Sequence, residues 1–131
     1  MDKPVIEFKG YRIENIDFKH LDSEKINEIE LENGNVSVWA AFTDDYKEAK
    51  LRLTFTVVDD NLYRTLVFEI SGYFDINCGK EEADTYLIQN GTAILYPYAR
   101  SIISMITSLD NENTIVIPTI NTTKILEDWE L

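Results

Sequence analysis

Residues 90–106 read NGTAILYPYARSIISMI, and the proline in the middle of this stretch decides how the second half of the chain folds. Inside an α-helix a proline costs about 3 kcal/mol or more, because it removes a ladder hydrogen bond and crowds the carbonyl four residues back. At the first helical position that cost vanishes, since the N–H there has no partner to lose. Pro97 is therefore expected to open a helix. NGTAIL then becomes a non-helical lead-in, with Tyr96 near the cap. Tyr98, Ile102, Met105, Ile106 and Leu109 form the apolar stripe of a helix over 96–109, with Arg100, Ser101, Ser104 and Ser108 facing elsewhere.

Working outward, KEEADTYLIQ at 80–89 places Ala83, Leu87 and Ile88 on one helical stripe and predicts a short helix. Before Cys78 the period changes to two. Leu66, Phe68, Ile70, Phe74 and Ile76 alternate against Tyr63, Thr65, Val67, Glu69 and Tyr73. Leu51, Leu53, Phe55 and Val57 alternate against Arg52, Thr54 and Thr56, and Val36, Val38, Ala40 and Phe42 against Ser37, Trp39 and Ala41. VDDN at 58–61 is a tight acidic turn, and connections this short imply an antiparallel meander. Ile6, Phe8, Tyr11, Ile13, Ile16 and Phe18 also alternate, but the phase slips near Gly10 and Asn15, the pattern of a long edge strand with bulges.

Downstream, DNEN ends the helix, TIVIPTIN is an extended connector, and Asn121 or Thr122 caps a last helix carrying Ile125, Leu126 and Trp129. Strands followed by helices, rather than alternating with them, define an α+β domain. The expectation is a four-stranded antiparallel sheet with C-terminal helices packed on one face, in a single domain over 1–131.

Composition narrows the function classes. A chain of 131 residues buries roughly two-thirds of its unfolded surface on folding, and 44% hydrophobic with 11% aromatic residues excludes a disordered acidic tail. The net charge of −12, from 24 acidic and 12 basic residues, repels phosphate backbones and anionic headgroups, so nucleic acid is not an expected partner. The lone Cys78 forms no internal disulfide, and MDKPVIEF carries neither a basic n-region nor an apolar h-region. No apolar run approaches the roughly 20 residues that cross a bilayer. A cytoplasmic chain without membrane insertion is expected.

Catalytic chemistry finds little material. His20 is the only histidine and Cys78 the only cysteine, which leaves nothing for a His/Cys metal cluster or a Cys–His dyad. His20 is expected as an exposed loop residue and Cys78 as a small filler at a strand end. Asp44-Asp45 and Asp59-Asp60 lack the glycine and terminal glutamate of a calcium loop and are expected as turns. The five glycines are scattered, none in a phosphate-binding fingerprint. Neither an enzyme nor a cofactor is expected.

Apolar residues do occur where the core does not need them. Leu21, Ile26, Ile29 and Leu31 lie between the first two strands, in a connection that is long for a compact domain, and Trp39 is on the face opposite the core set. They suit either a satellite core or subunit contact, or a groove rimmed by acids, which binds protein more often than small molecules.

Ile94, Leu95, Tyr96, Pro97, Tyr98, Ala99 and Arg100, followed by Pro118, Ile120 and Asn121, resemble the Ile-Leu-aromatic-Pro-Tyr-Ala-Arg segment and Pro-x-Asn connector of the SecB protein-export chaperones. FKGYRIENIDF and LVFEISGYFDI extend the resemblance more weakly, with Gly72 and Phe74 at the family's glycine and phenylalanine. The resemblance implies a long crossover between strands one and two, two C-terminal helices and a dimer of dimers, with Tyr98, Ile102, Met105 and Ile106 in subunit contact. It also implies an ATP-independent holdase for unfolded polypeptides, delivering them in typical members to the export motor SecA. By the same resemblance the client groove comprises Ile26, Ile29, Leu31, Trp39, Ile125, Leu126 and Trp129. The positions of the family's SecA-facing acids hold Asn15, Lys19 and Val67, and Asp17 and Glu69 lie two residues away on the same faces as a displaced acidic patch.

Holding an unfolded chain needs no chemistry beyond burial of apolar surface, worth roughly 25 cal/mol per Å². The alternatives on this scaffold are a chaperone dedicated to one client, such as an antitoxin, and a structural interaction domain without a groove.

Overall fold

The computed structural model describes residues 3–21, 35–59 and 61–117. Four strands, β1 (Ile6–His20), β2 (Asn35–Phe42), β3 (Glu48–Asp59) and β4 (Arg64–Ile76), form one antiparallel sheet in the order β1-β4-β3-β2. β2, β3 and β4 make the expected meander. β1 pairs with β4 and lies at the edge opposite β2, so the connection from β1 to β2 joins the two edges of the sheet. The register of β1 shifts between Phe8 and Gly10 and again between Ile13 and Asn15, where the phase of the sequence slips.

One face of the sheet is the core. Leu51, Leu53, Phe55, Leu66, Phe68, Ile70 and Phe74 are all buried on it, as the two-residue period predicts. Arg52, Thr54, Glu69 and Trp39 share the opposite face, the outer face below.

The helical half differs from the sequence expectation. After Gly79 come α1 (Lys80–Tyr86), a π-helical turn (Leu87–Gly91) and α2 (Thr92–Asp110), and both residues flanking the π turn keep right-handed helical dihedrals. NGTAIL is thus helical, not a lead-in, and Pro97 lies inside α2. The ladder bond that proline removes would end on the carbonyl of Ala93, and both residues are exposed, where water takes that carbonyl's lone pairs. The stripe assigned from Pro97 onward was also not the core stripe. α2 buries Thr92, Leu95, Tyr96, Ala99, Ile103 and Thr107, whereas Tyr98, Met105 and Leu109 are exposed and Ile102 and Ile106 half-buried. Starting the helix at Pro97 discards its first turn and so shifts the apparent phase. Ala83, Leu87 and Ile88 are buried as expected.

Small side chains let the helices settle. Ala40, Leu51, Gly72 and Tyr11 occupy one cross-strand row on the core face. A Cβ on Gly72 would lie 2.9 Å from Phe74 Cε2 and 3.3 Å from both Leu95 methyls, and one on Gly91 would lie 3.0 Å from Leu51 Cδ2. α2 and the π turn therefore approach the sheet only because these two residues lack side chains.

Beyond α2, Asn111 is extended and the chain turns back along the helix. Thr107 Oγ1 accepts from Ile115 N at 2.9 Å and Ser104 Oγ donates to Ile115 O at 2.9 Å, pinning the extended connector as far as the buried Ile117. The last helix expected after Asn121, with Ile125, Leu126 and Trp129, lies outside the described residues, as do Ile26, Ile29 and Leu31.

Candidate functional site

Two surfaces hold the expected functional residues. The first is the outer face of the sheet, where alternation places Trp39 of β2 beside Arg52 of β3. The Trp39 side chain is 44% exposed, and the Arg52 guanidinium stacks 4.5 Å from its ring centroid. Asp17 and Glu69 share this face, as expected, since Asn15 pairs with Glu69 and Asp17 with Val67. Neither is a bare acid. Lys19 Nζ is 3.5 Å from Asp17, and Glu69 takes Arg52 Nε at 3.7 Å and the Thr54 hydroxyl at 3.5 Å. Lys50 bonds Glu14 at 3.0 Å, which holds that carboxyl below the ordinary carboxylate range. Lys9 sits between Glu7 at 3.2 Å and Asp75 at 3.4 Å, and the hydrogen bond it donates to Glu7 leads those that push its pKa up. The face is a self-neutralising lattice, whereas the chain as a whole carries −12.

The second surface is on the helix side. Tyr11, Ile13 and Ile16 point to the core face of β1 yet are 45%, 41% and 47% exposed, because the helices do not reach across the edge strand. Tyr98 of α2 packs at one end of this strip, its ring centroid 4.9 Å from that of Tyr11 and 5.7 Å from that of Phe8. Met105 and Leu109 extend the exposed apolar surface along α2.

A buried cation that the sequence reading overlooked ties sheet to helix. Arg64 opens β4 on its inward-facing phase and is 1% exposed. It donates to Asp59 Oδ2 from Nη2 at 2.7 Å and Nε at 3.0 Å, to Asn113 O at 2.8 Å and, more weakly, to Asp110 Oδ2 at 3.4 Å and Thr107 O at 3.5 Å. A cation here meets the negative end of the α2 dipole and its last carbonyls. The legible signal was an arginine at an inward position of an otherwise apolar strand. His20 is exposed but ends β1 rather than sitting in a loop, and it bonds Asp110 at 2.7 Å. Cys78 is half-buried just past β4, where burial pushes its thiol pKa up. Asp45 binds Thr43 and Lys47 N in the β2–β3 turn, and Asp59 caps the next turn through Asn61 N and Leu62 N.

Both surfaces are open faces of the sheet and helix rather than an enclosed pocket. On the outer face a shallow groove of ≈ 470 Å³ runs between Lys9, Ala41, Lys50 and Tyr73. Among the described residues no three metal-ligating side chains converge, and no helix is long and apolar enough to cross a membrane.

This sheet, with strand order β1-β4-β3-β2 and a helical C-terminal half on one face, is a SecB-like fold. The particular similarities are to solved structures. The Mycobacterium tuberculosis SecB-like chaperone Rv1957, in complex with a ChAD peptide from the Rv1956 HigA1 antitoxin, superposes with a TM-score of 0.69 at 15% identity, over 88% of this chain and 90% of that one. A protein of unknown function from Streptococcus agalactiae superposes with a TM-score of 0.62 at 15% identity, over 87% and 97%. No family model matches the chain, and no curated protein matches it in sequence.

Proposed function

We propose that this chain is an ATP-independent holdase, not an enzyme, which binds non-native polypeptides in the cytoplasm on apolar surface and releases them unchanged. The observation that carries this reading is the SecB-like fold, shared with a chaperone solved with a peptide bound. The residues assigned to client binding, by the SecB resemblance, are Trp39, Ile26, Ile29, Leu31, Ile125, Leu126 and Trp129, whose apolar side chains would take up an extended client in a non-directional and sequence-tolerant way. The exposed apolar surface around Tyr98, Ile102, Met105 and Ile106 joins subunits into a dimer of dimers, and the net charge keeps these assemblies from associating further.

A second reading narrows the client range to one partner, such as an antitoxin. The paired state of Asp17 and Glu69 favours it over delivery to SecA, because an acid already bound to Lys19 or Arg52 offers little to a basic docking domain. Light scattering of a chemically denatured protein diluted into buffer without ATP tests the proposal. Equimolar or lower amounts of this protein are expected to slow the scattering, and Trp39→Ser to weaken the effect. No suppression with any of several clients at any ratio contradicts holding; suppression of one client alone selects the dedicated form.

A further inference from the structure

A row of side chains on the outer sheet face has unused recognition capacity. Trp39, Arg52, Ser71 and Arg12 are consecutive partners across β2, β3, β4 and β1. Arg52 is only one-third exposed, yet its single ionic contact, Nε to Glu69 at 3.7 Å, is beyond hydrogen-bond reach. Arg12 is exposed and, among the described residues, forms no ion pair, acting on Glu14 only through space. The nearby acids are engaged by others, Glu14 by Lys50 at 3.0 Å and Glu69 in part by Thr54. With no hydrogen bond to another described residue, the partly exposed Arg52 guanidinium keeps its donors for water or a ligand. Its planar fork fits a carboxylate in two-point contact, and the Trp39 ring beside it offers an exposed aromatic face.

We infer that the Trp39–Arg52–Arg12 row docks an extended peptide segment of a protein partner carrying two carboxylates and an aromatic residue. Arg52 and Arg12 are two strands apart, roughly 10 Å, which a chain in the extended polyproline-II conformation spans in about three residues with side chains i and i+3 on the same face. The segment thus has acids three positions apart and its aromatic residue over Trp39. Charge makes the row selective: elsewhere the acidic chain repels such a segment, while the row presents Arg12, with no ion pair among the described residues, and Arg52, held only by its long contact to Glu69. A nucleic-acid strand fits less well, since its unbroken phosphates would run over Glu14 and Glu69. The inference goes beyond client holding, which needs neither arginine.

The test is fluorescence anisotropy with a labelled ten-residue synthetic peptide holding one Phe and two Glu three positions apart, against its twin with Gln for Glu. The Glu peptide is expected to bind about tenfold more tightly, the scale of one charge-assisted contact. Arg12→Gln and Arg52→Gln should each remove most of that preference, leaving the Gln twin's affinity and aggregation suppression unchanged. Arg12 is exposed, so its variant carries the test even if Arg52→Gln perturbs folding. Equal affinity for the twins, or a preference that survives Arg12→Gln, overturns the proposal. So does an oligothymidine that binds as tightly as the Glu peptide, or peptide binding lost as the protein concentration rises, which means a second copy covers the row.

Discussion

Arg64 shows how a single side chain can organise a fold. Its guanidinium is inside the domain, and its partners come from the end of β3, the end of α2 and the connector beyond. Removing one partner of a buried ion pair costs about 3–5 kcal/mol, so Arg64→Ala should lower the unfolding free energy by at least ~3 kcal/mol in urea titrations. The network also sets a pH dependence. Burial works against ionisation of Asp59, but the Arg64 hydrogen bond and two backbone N–H groups outweigh it, and the carboxyl stays below its ordinary range. Asp110 is lowered mainly by its bond to His20. Carboxyls depressed in the folded state leave the unfolded chain holding more protons, so their stabilisation is complete above the unfolded value of about 3.9 and is lost as pH falls through the folded values. Urea midpoints should therefore drop below about pH 4, and Asp59→Asn should flatten that drop while lowering stability at neutral pH. Two tyrosines have positive φ, Tyr46 at 58° and Tyr63 at 52°. Tyr46 is held by a 4.7 Å stack on Phe42 and by Lys80 over its ring at 4.8 Å, whereas the Tyr63 ring is exposed without a ring contact among the described residues. Tyr46→Gly should thus be less stable than Tyr63→Gly by about 1–2 kcal/mol, the worth of an aromatic pair and a cation–π contact. None of these roles follows from residue type alone, because each depends on which distant element comes to lie beside it.

At the scale of elements, period was a better guide than punctuation. The two-residue alternation located all four strands and even the slips of β1, since burial on one face allows no other phase. Proline misled. A local rule placed Pro97 at a helix start, but tertiary packing of Leu95, Tyr96, Ala99 and Ile103 on the sheet stabilises a helix through it. An interior position predicts that Pro97→Ala, which restores a donor to the Ala93 carbonyl, raises unfolding free energy by about 2 kcal/mol after the lost rigidity of the unfolded chain is allowed for. A helix-start position predicts no gain. Gly72 is the converse case, where sequence similarity marked a residue and packing supplies the reason. Gly72→Ala should cost about 1–3 kcal/mol, as overpacking does, because its Cβ would press on Phe74 and Leu95. Thermal and urea unfolding with far-ultraviolet circular dichroism measure both.

For the whole molecule, the fold class was legible because its order of elements, strands and then helices, leaves few ways to cover one face of a sheet. The surfaces were less so. Trp39 was correctly placed opposite the core by parity, and its exposure makes Trp39→Ser a cleaner probe of binding than a change in the core. The neutralisation of Asp17 and Glu69, and the free capacity of Arg12 and Arg52, depend on cross-strand register and could not be read from spacing alone. Exposed apolar surface on β1 and α2, on the face of the sheet opposite the Trp39–Arg52–Arg12 row, is the basis for expecting an oligomer. The most direct measurement is native mass spectrometry of the protein mixed with a reduced, carboxymethylated polypeptide that stays unfolded, alongside the same polypeptide in its folded form. The account predicts a tetramer that carries the unfolded chain and ignores the folded one, without nucleotide. Monomers at micromolar concentration that bind neither form would contradict it.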